Sequence, residues 1–514
     1  MVKFVSEVIK KIINIQELEA KIREYRVNGQ TIAHCHGVFD LLHVGHIRHL
    51  KEAASVADKL VVTITGDSYV NKGPSRPEFN EKLRAEVLSS LDCVDLVYIN
   101  NSLTAVDIIS KIKPEFYVKG PDYRNYSDDV SGAMLEEKNT VESSGGQVHI
   151  TDDISFSSTK LLNTYFDKLP TNSRDKLNAI KNDHSMSEII NLLNNAGKLS
   201  VLVIGETIID EYQYCSAIGK SSKSPTLAVN LETSESFIGG ALAIANHLED
   251  FAGKVTVTSV AGNDDYGESF IKSKLNSNIN LHLLKSDNHR TIVKRRIVER
   301  YFFHKLLEIY EMDLQQSNIT NEKLIDIVKR LAPLVDVVIV ADFGHDMISD
   351  KLVEIIEKYS KYLSLNVQMN AGNMGYNTLS KYSRADYVSI TEGELRLDSQ
   401  ERYENLEKLI SDTSDRLGTS MFSITQGGDG CVVKSKKHAL AEIPAIIAND
   451  EVVDRVGAGD VFFAVTSLLA SLNAPPDVLG LIGNVVAADS VRSIGTGAPI
   501  KRVDTIRSLA TLLK

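Results

Sequence analysis

Short β-rich apolar runs alternate with helical patterns along almost the whole chain, and this alternation limits the fold more than any other feature. From about residue 30 it reads TIAHCHGVF, a helix from His43, KLVVTITGD, a helix from Asn80, VDLVYIN, a helix from Ser102, then EFYVKG. Strands separated by helices pair in parallel, with the helices covering both faces of the sheet. A second alternation starts at KLSVLVIGETIID and runs through KVTVTSVAG, VDVVIVADFG, ADYVSITEGE and SMFSITQGGDGCVV to a glycine-punctuated helical region. Between the two lies DKLPTNSRDKLNAIKNDHS, which is polar, contains a Pro and has no sustained apolar stripe, the composition of a linker. A chain of 514 residues exceeds what one hydrophobic core supports. The expected organisation is an N-terminal helical segment at 1–27, a small α/β domain at 28–166, a linker at 167–185 and a larger α/β domain at 186–514.

Composition narrows the function. A net charge of -11 argues against a nucleic-acid binder, which carries a basic surplus, so an anionic ligand must be gripped locally. No apolar stretch is long enough to span a bilayer, and the N-terminus lacks a signal peptide's apolar core and cleavage site. Cys35, Cys93, Cys215 and Cys431 lie far apart with no CxxC pair, which suits a reducing compartment and suggests neither a disulfide framework nor a zinc site. A cytoplasmic protein with no membrane partner is expected.

The stretch HGVFDLLHVGHIRHL, residues 36–50, packs four histidines between a strand and an amphipathic helix. The loop after the first strand of a parallel sheet lies at the ligand-binding edge, and a helix N-terminus offers free N–H groups to an anion. Gly37 permits a tight turn, and Gly45 lets a phosphate approach the backbone between His43 and His46. Metal ligation and helix capping are the other uses of such imidazoles. Phosphate contact is preferred, because spacing indicates no distant carboxylate or cysteine to complete a metal site.

GVFDLLHVGHIRHLKEAA, with Gly37, Phe39, His43, Gly45 and His46, resembles the signature of cytidylyltransferase-like nucleotidyltransferases. The resemblance continues through KGPSRPEFNEKLRAEVLSSLDCVDLVYI, IKPEFYVKGPDY and GGQVHITDDISFSSTKLL, in the order of the ADP-heptose synthase half of bifunctional heptose-phosphate kinase/adenylyltransferases. It implies a Rossmann-like domain in which His43 and His46 stabilise charge on the α-phosphorus of a nucleoside triphosphate. His36 and His49 are then the structural pair. It further implies that Lys72 and Arg76 contact pyrophosphate, that Ser157, Ser158 and Thr159 cap a helix or bind phosphate, and that Lys119 and Asp122 meet nucleotide or acceptor.

In the second half, DRVGAGDVFFAVTSLLA places Gly457, Ala458 and Gly459 before a strongly apolar helix with Asp460 in its first turn. Consecutive small residues expose backbone N–H groups as an anion hole, and a carboxylate beside it can take a proton from an attacking hydroxyl. Read as a strand, RTIVKRRIVER puts Arg290, Lys294, Arg296 and Arg300 on one face, four cations able to grip a phosphosugar. With FIGGALAIANHL, ADFGHDMIS, SITEGE and ITQGGDGCVV in sequence, this half resembles the ribokinase-like PfkB sugar kinases. The resemblance implies that Asp460 is the base and that Gly457 to Gly459 form the anion hole. Gly427, Gly430 and Asn484 would line the ATP site, Asp210, Gly239 and Gly240 would meet the sugar, and Glu394 would organise magnesium.

This half departs from the family pattern. Ala243 replaces the Asn after Gly-Gly-Ala, Glu206 the Asp after the first strand, VQMNAGN the Asp-Pro-Lys segment, and SIT the Thr-Pro-Asn. The order of the halves is expected to be reversed relative to the heptose enzymes. Together the resemblances imply two doubly wound α/β domains in a homodimeric enzyme. It would be a sugar kinase joined to a sugar-1-phosphate nucleotidyltransferase, using Mg2+ and ATP, or CTP, and feeding surface glycan synthesis. The alternative is a polyol-phosphate cytidylyltransferase whose second half is a non-catalytic sugar-binding or dimerisation module.

Overall fold

The computed structural model describes residues 10–70, 77–120, 133–151, 171–287, 289–313, 322–447 and 452–513. The chain divides into two compact units, 1–168 with 506–514, and 169–505. In the first, β1 (Ile32–Gly37), β2 (Lys59–Thr65), β3 (Leu96–Asn100), β4 (Phe116–Lys119) and β5 (Gln147–Ile150) form a sheet in the order β3-β2-β1-β4-β5. Every pairing is parallel, as the helical patterns between the runs require. The strand order reverses between β1 and β4, so the loops leaving these two strands flank a ligand crevice. The N-terminal helical segment is part of this unit's core. Asn14 and Glu17 form a capping box on the helix Ile15–Val27, whose Leu18 and Ile22 are buried, and Ile12 bridges to Val97 of β3.

In the second unit, the main sheet comprises β6 (Ser200–Gly205), β9 (Lys254–Gly262), β10 (Asn280–Ser286), β13 (Val337–Asp342), β14 (Leu363–Val367), β15 (Tyr387–Thr391), β16 (Met421–Thr425), β17 (Cys431–Ser435) and β18 (Ala441–Ile443). Its order is β10-β9-β6-β13-β14-β15-β16-β17-β18, antiparallel only from β16 onward. A separate sheet, β12-β11-β7-β8, is built from β7 (Thr207–Lys220), β8 (Leu227–Gly239), β11 (Ile292–Glu299) and β12 (His304–Glu311). Two helices, Gly240–Leu248 and Ala458–Ser471, are buried along most of their length, which is why their sequences are apolar all round.

Two expectations need correction. Much of the proposed linker is helical: Thr171–Asp183 is a helix, followed by Met186–Ala196, capped by Ser185 and Glu188. Leu177 and Ile180 are buried, a contact line too sparse among polar neighbours to stand out as an apolar stripe. The cationic strand is also shorter than expected, because β11 spans Ile292–Glu299 and leaves Arg290 and Arg300 outside it. Leu177→Ala in the full chain should lower the unfolding free energy of the second unit by about 2–4 kcal/mol in chemical denaturation. A loss near zero would restore the linker reading.

Candidate functional site

The first site forms where β1 ends. His43 is the N-cap of the helix Val44–Ser55, its Nδ1 accepting from the backbone N–H of Gly45 at 3.1 Å. Capping, one of the uses open to these histidines, is therefore realised by His43. An accepting Nδ1 puts the proton of the neutral ring on Nε2, and burial holds the pKa of this imidazole below its ordinary value. The His43 and His46 rings stack with centroids 4.0 Å apart, and Phe39, at φ 50, lies edge-on to His46 at 5.5 Å. Two imidazoles are thus held side by side at a helix N-terminus, on the crevice edge of the sheet.

The loop carrying them is pinned by residues that sequence reasoning missed. The Asp40 carboxylate accepts from the backbone N–H of Glu78 and Phe79 at 3.0 and 2.9 Å. Arg84, fully buried, donates to the carbonyls of Val38, Phe79 and Thr65 and to Asp67 Oδ1. An arginine inside an amphipathic helical pattern looks like surface, and nothing local marks it as the clamp. His36 bonds Thr63 at 2.8 Å and is pushed down to about 4 by burial. His49 bonds Thr151 at 3.0 Å. Lys119 differs from expectation: its ammonium is buried 3.0 Å from Glu137 Oε2, an acceptor shared with the Tyr117 hydroxyl. That cation is neutralised within the fold instead of being presented to a ligand. Lys72, Arg76, Asp122, Ser157, Ser158 and Thr159 lie outside the described residues.

The second site collects β7, β8, β11 and the start of the helix Ala458–Ser471. Gly457 caps that helix at φ 82, with Ala458, Gly459 and Asp460 in its first turn. Asp210 of β7 packs against the β8 end so closely that a Cβ on Gly239 would lie 2.3 Å from its Oδ2. Gly240, at φ 58, has the Glu206 carbonyl 2.5 Å from where its Cβ would stand. These two glycines are required by approach and by backbone, respectively. Arg296 is not a free cation, because it donates to Asp210 Oδ1 at 2.5 Å and Glu308 Oε1 at 3.1 Å. Lys294 forms no hydrogen bond or ion pair among the described residues. Its ammonium lies between the rings of Tyr310 and Phe343, at 5.5 and 5.9 Å, and burial lowers its pKa against the pull of Asp210. Arg300 instead pairs with Glu232 at the surface.

Asp460 accepts from Gln368 Nε2 at 2.6 Å. Burial raises its pKa to about 7; the Asp210 and Glu394 charges add to the rise, and Gln368 and Lys294 oppose it. Glu206, where the family pattern has Asp, is likewise pushed up to about 7, by burial and by Asp342. Gly427 and Gly430 form a turn at φ 59 and 100, and Asn484 donates to the carbonyls of Ile443 and Pro444 at 3.0 and 3.1 Å. Asn484 therefore braces the strand end that crowds Gly430. Glu394, for which the resemblance implies a metal role, is engaged by hydrogen bonds within the fold. One oxygen closes a capping box with Thr391 and the other accepts from the Met369 N–H at 2.9 Å. No cluster of three metal-ligating side chains occurs among the described residues, and magnesium, held by one or two carboxylates with waters and substrate phosphates, requires none.

Residues 198–502 match the model of the pfkB family of carbohydrate kinases. The chain belongs to that family. Residues 34–163 match the cytidylyltransferase-like family, so the chain joins a cytidylyltransferase-like domain to a domain of the pfkB carbohydrate kinase family. Curated relatives include the bifunctional protein HldE of Methylobacillus flagellatus, 38% identical over 144 residues, 28% of each chain. Another is HldE of Paramagnetospirillum magneticum, 40% identical over 151 residues, 29% of this chain and 30% of that one. The chain thus matches under a third of these relatives' length. Among solved structures, phosphofructokinase-2 from Escherichia coli is 13% identical with a TM-score of 0.49, covering 62% of this chain and all of that one. Arabidopsis thaliana ribokinase is 16% identical with a TM-score of 0.46, covering 62% and 99%. The expected reversal of the two halves is withdrawn, since these matches show no inversion relative to HldE.

The raised pKa of Asp460 links this site to stability. The folded unit holds a proton here that the unfolded carboxyl, with a pKa of about 4, has lost. The group's contribution is full below the unfolded pKa and is lost as pH rises through about 7. Asp460→Asn should therefore raise the calorimetric midpoint of the second unit at pH 8 and change it little at pH 5. Equal midpoints at pH 8 would contradict the buried charge.

Proposed function

We propose that the kinase half phosphorylates a sugar or sugar phosphate with ATP, and that the nucleotidyltransferase half couples a sugar 1-phosphate to a nucleotide, with a separate phosphatase removing the second phosphate between the steps where a bisphosphate forms. The observation that carries the reading is Asp460, a partly buried carboxyl with a pKa of about 7 in the first turn of the helix that starts at Gly457–Gly459. The acceptor hydroxyl gives its proton to Asp460 as its oxygen bonds the γ-phosphorus, and the bond to the departing ADP breaks. Backbone N–H groups at the helix start carry the charge of the transferred group. Magnesium enters as the nucleotide's own counter-ion, consistent with its habit of binding through substrate phosphates. Lys294 is the cation left to hold a phosphate on the acceptor, because Arg296 is engaged by Asp210 and Glu308.

In the first half, the stacked His43 and His46 meet the α-phosphate, and a sugar-phosphate oxygen displaces pyrophosphate. Heptose is the acceptor and ADP-heptose the product in this reading, which the likeness of the first half to the bifunctional HldE proteins supports. We place the enzyme in the cytoplasm, where its nucleotides are; no helix among the described residues is long and apolar enough to cross a membrane. A homodimer fits the exposed Tyr301, Phe302 and Leu307 at and beside the β12 edge of the smaller sheet.

Pyrophosphate release from ATP and CTP with a panel of sugar 1-phosphates and glycerol phosphate tests the first half. The expected pair is ATP with heptose 1-phosphate; glycerol phosphate with CTP would replace this reading. His46→Ala should cost nucleotidyl transfer about two to three decades and leave sugar phosphorylation intact. Asp460→Asn should do the reverse, cutting phosphorylation by about 10²–10⁴-fold. Phosphorylation should also fall as pH drops through about 7, since the base works only when ionised. A flat profile from pH 5 to 9 would remove Asp460 from that role.

A further inference from the structure

Asp460 shares its surroundings with charges from three elements: Asp210 on β7, Lys294 on β11 and Glu394 on the helix Glu392–Ser399. None of these is in hydrogen-bond contact with its carboxyl. The one hydrogen bond it receives among the described residues comes from the uncharged amide of Gln368. Gln368 is the residue directly after β14, in the segment where this chain departs from the family pattern.

We infer that Gln368 is a positioning residue that holds the Asp460 carboxylate in register for the acceptor hydroxyl. The inference rests on the reading of Asp460 as the base. Gln368 is presented from a backbone pinned on both sides. Its own N–H donates to the Asp342 carbonyl at 2.8 Å, and its carbonyl accepts from Asn377 Nδ2 at 3.3 Å. The next peptide N–H, of Met369, donates to Glu394 Oε1 at 2.9 Å, and the other Glu394 oxygen is fixed by Thr391. The Asp342 bed is itself tied down by Lys381, Tyr382 and Asn377. Glu394 thus reaches Asp460 mechanically, through Met369 and Gln368.

An amide suits this place chemically. A lysine in hydrogen-bond contact would stabilise the carboxylate so well that it became a poor base, and a third carboxylate would repel it. The amide occupies Oδ1 and favours the ionised form moderately, leaving Oδ2 to accept from the substrate. Asp210 raises the Asp460 pKa even with Arg296 paired to it, so the Gln368 amide works against that repulsion.

The test is Gln368→Leu in the full chain, with two readouts. Infrared difference spectra against Asp460→Asn follow protonation of this carboxyl without any substrate. Its midpoint should move up by about one pH unit, the shift a lost hydrogen bond to a carboxylate produces. With the best acceptor from a panel of hexoses, heptoses and their phosphates, the acid limb of kcat/KM should move by the same amount. Activity near pH 7 would then drop several-fold and recover by pH 9, with KM for ATP unchanged. A carboxyl titrating at the wild-type pH in Gln368→Leu overturns the inference. Should that variant not fold, Gln368→Asn, which withdraws the amide by one methylene, is read the same way. If wild type phosphorylates nothing on the panel, the base reading fails while the infrared titration still decides the role of Gln368.

Discussion

The buried ion pair between Arg296 and Asp210 is the interaction on which the kinase half most depends. Both side chains are almost wholly removed from solvent, and Asp210 stands against Gly239 on one side and within electrostatic reach of Asp460 on the other. Left unpaired, Asp210 would be an uncompensated buried charge, a cost of about 3–5 kcal/mol, and its field would push Asp460 further toward the protonated state. The pair also has a functional consequence. An arginine that the strand pattern offers to a ligand is committed to the fold, so of the two cations inside β11 on that face Lys294 is the one that the proposed reading gives to an acceptor phosphate.

Both halves put a helix N-terminus at the carboxyl edge of a parallel sheet, and they arm it differently. In the first half the side chains at that terminus are imidazoles, with His43 kept toward its neutral form by burial. They suit hydrogen-bond donation to a phosphorus centre that is attacked by an oxygen already ionised. In the second half the side chain is a carboxyl with a pKa of about 7, and in the proposed reaction the attacking group is an alcohol that must lose a proton. In the proposed reading the same backbone device serves two phosphorus chemistries, and the nearby side chain decides whether charge is stabilised or a proton is removed.

Buried polar clamps keep these loops in place. Arg84 ties the carbonyls of Val38, Phe79 and Thr65 together, so the segment before His43 cannot drift from the helix start. Asp454 does similar work near Gly457, accepting from Tyr212, Lys305 and the N–H groups of Val456 and Gly495. Tyr212 and Lys305 come from the smaller sheet, so this carboxylate joins two of its strands to the loop that leads into the helix start at Gly457. Each clamp is a charged residue that gathers partners from several segments of the chain.

The alternation of apolar runs and helical patterns determined the two parallel α/β units, because a strand followed by a helix has few ways to bury both. Motifs that are local in sequence were equally legible: His43 and His46 at a helix start, and Gly457 to Asp460 at another. The tertiary structure decided what depends on partners far along the chain. It neutralised Lys119 with Glu137 and Arg296 with Asp210, and it turned Glu394 into a brace. It buried Leu177 and Ile180 in a segment that composition alone marks as linker, and brought Gln368 to Asp460 across 92 residues. A side chain's charge and shape are written in the sequence, but whether that charge is free for a ligand depends on which opposite charge the fold places beside it.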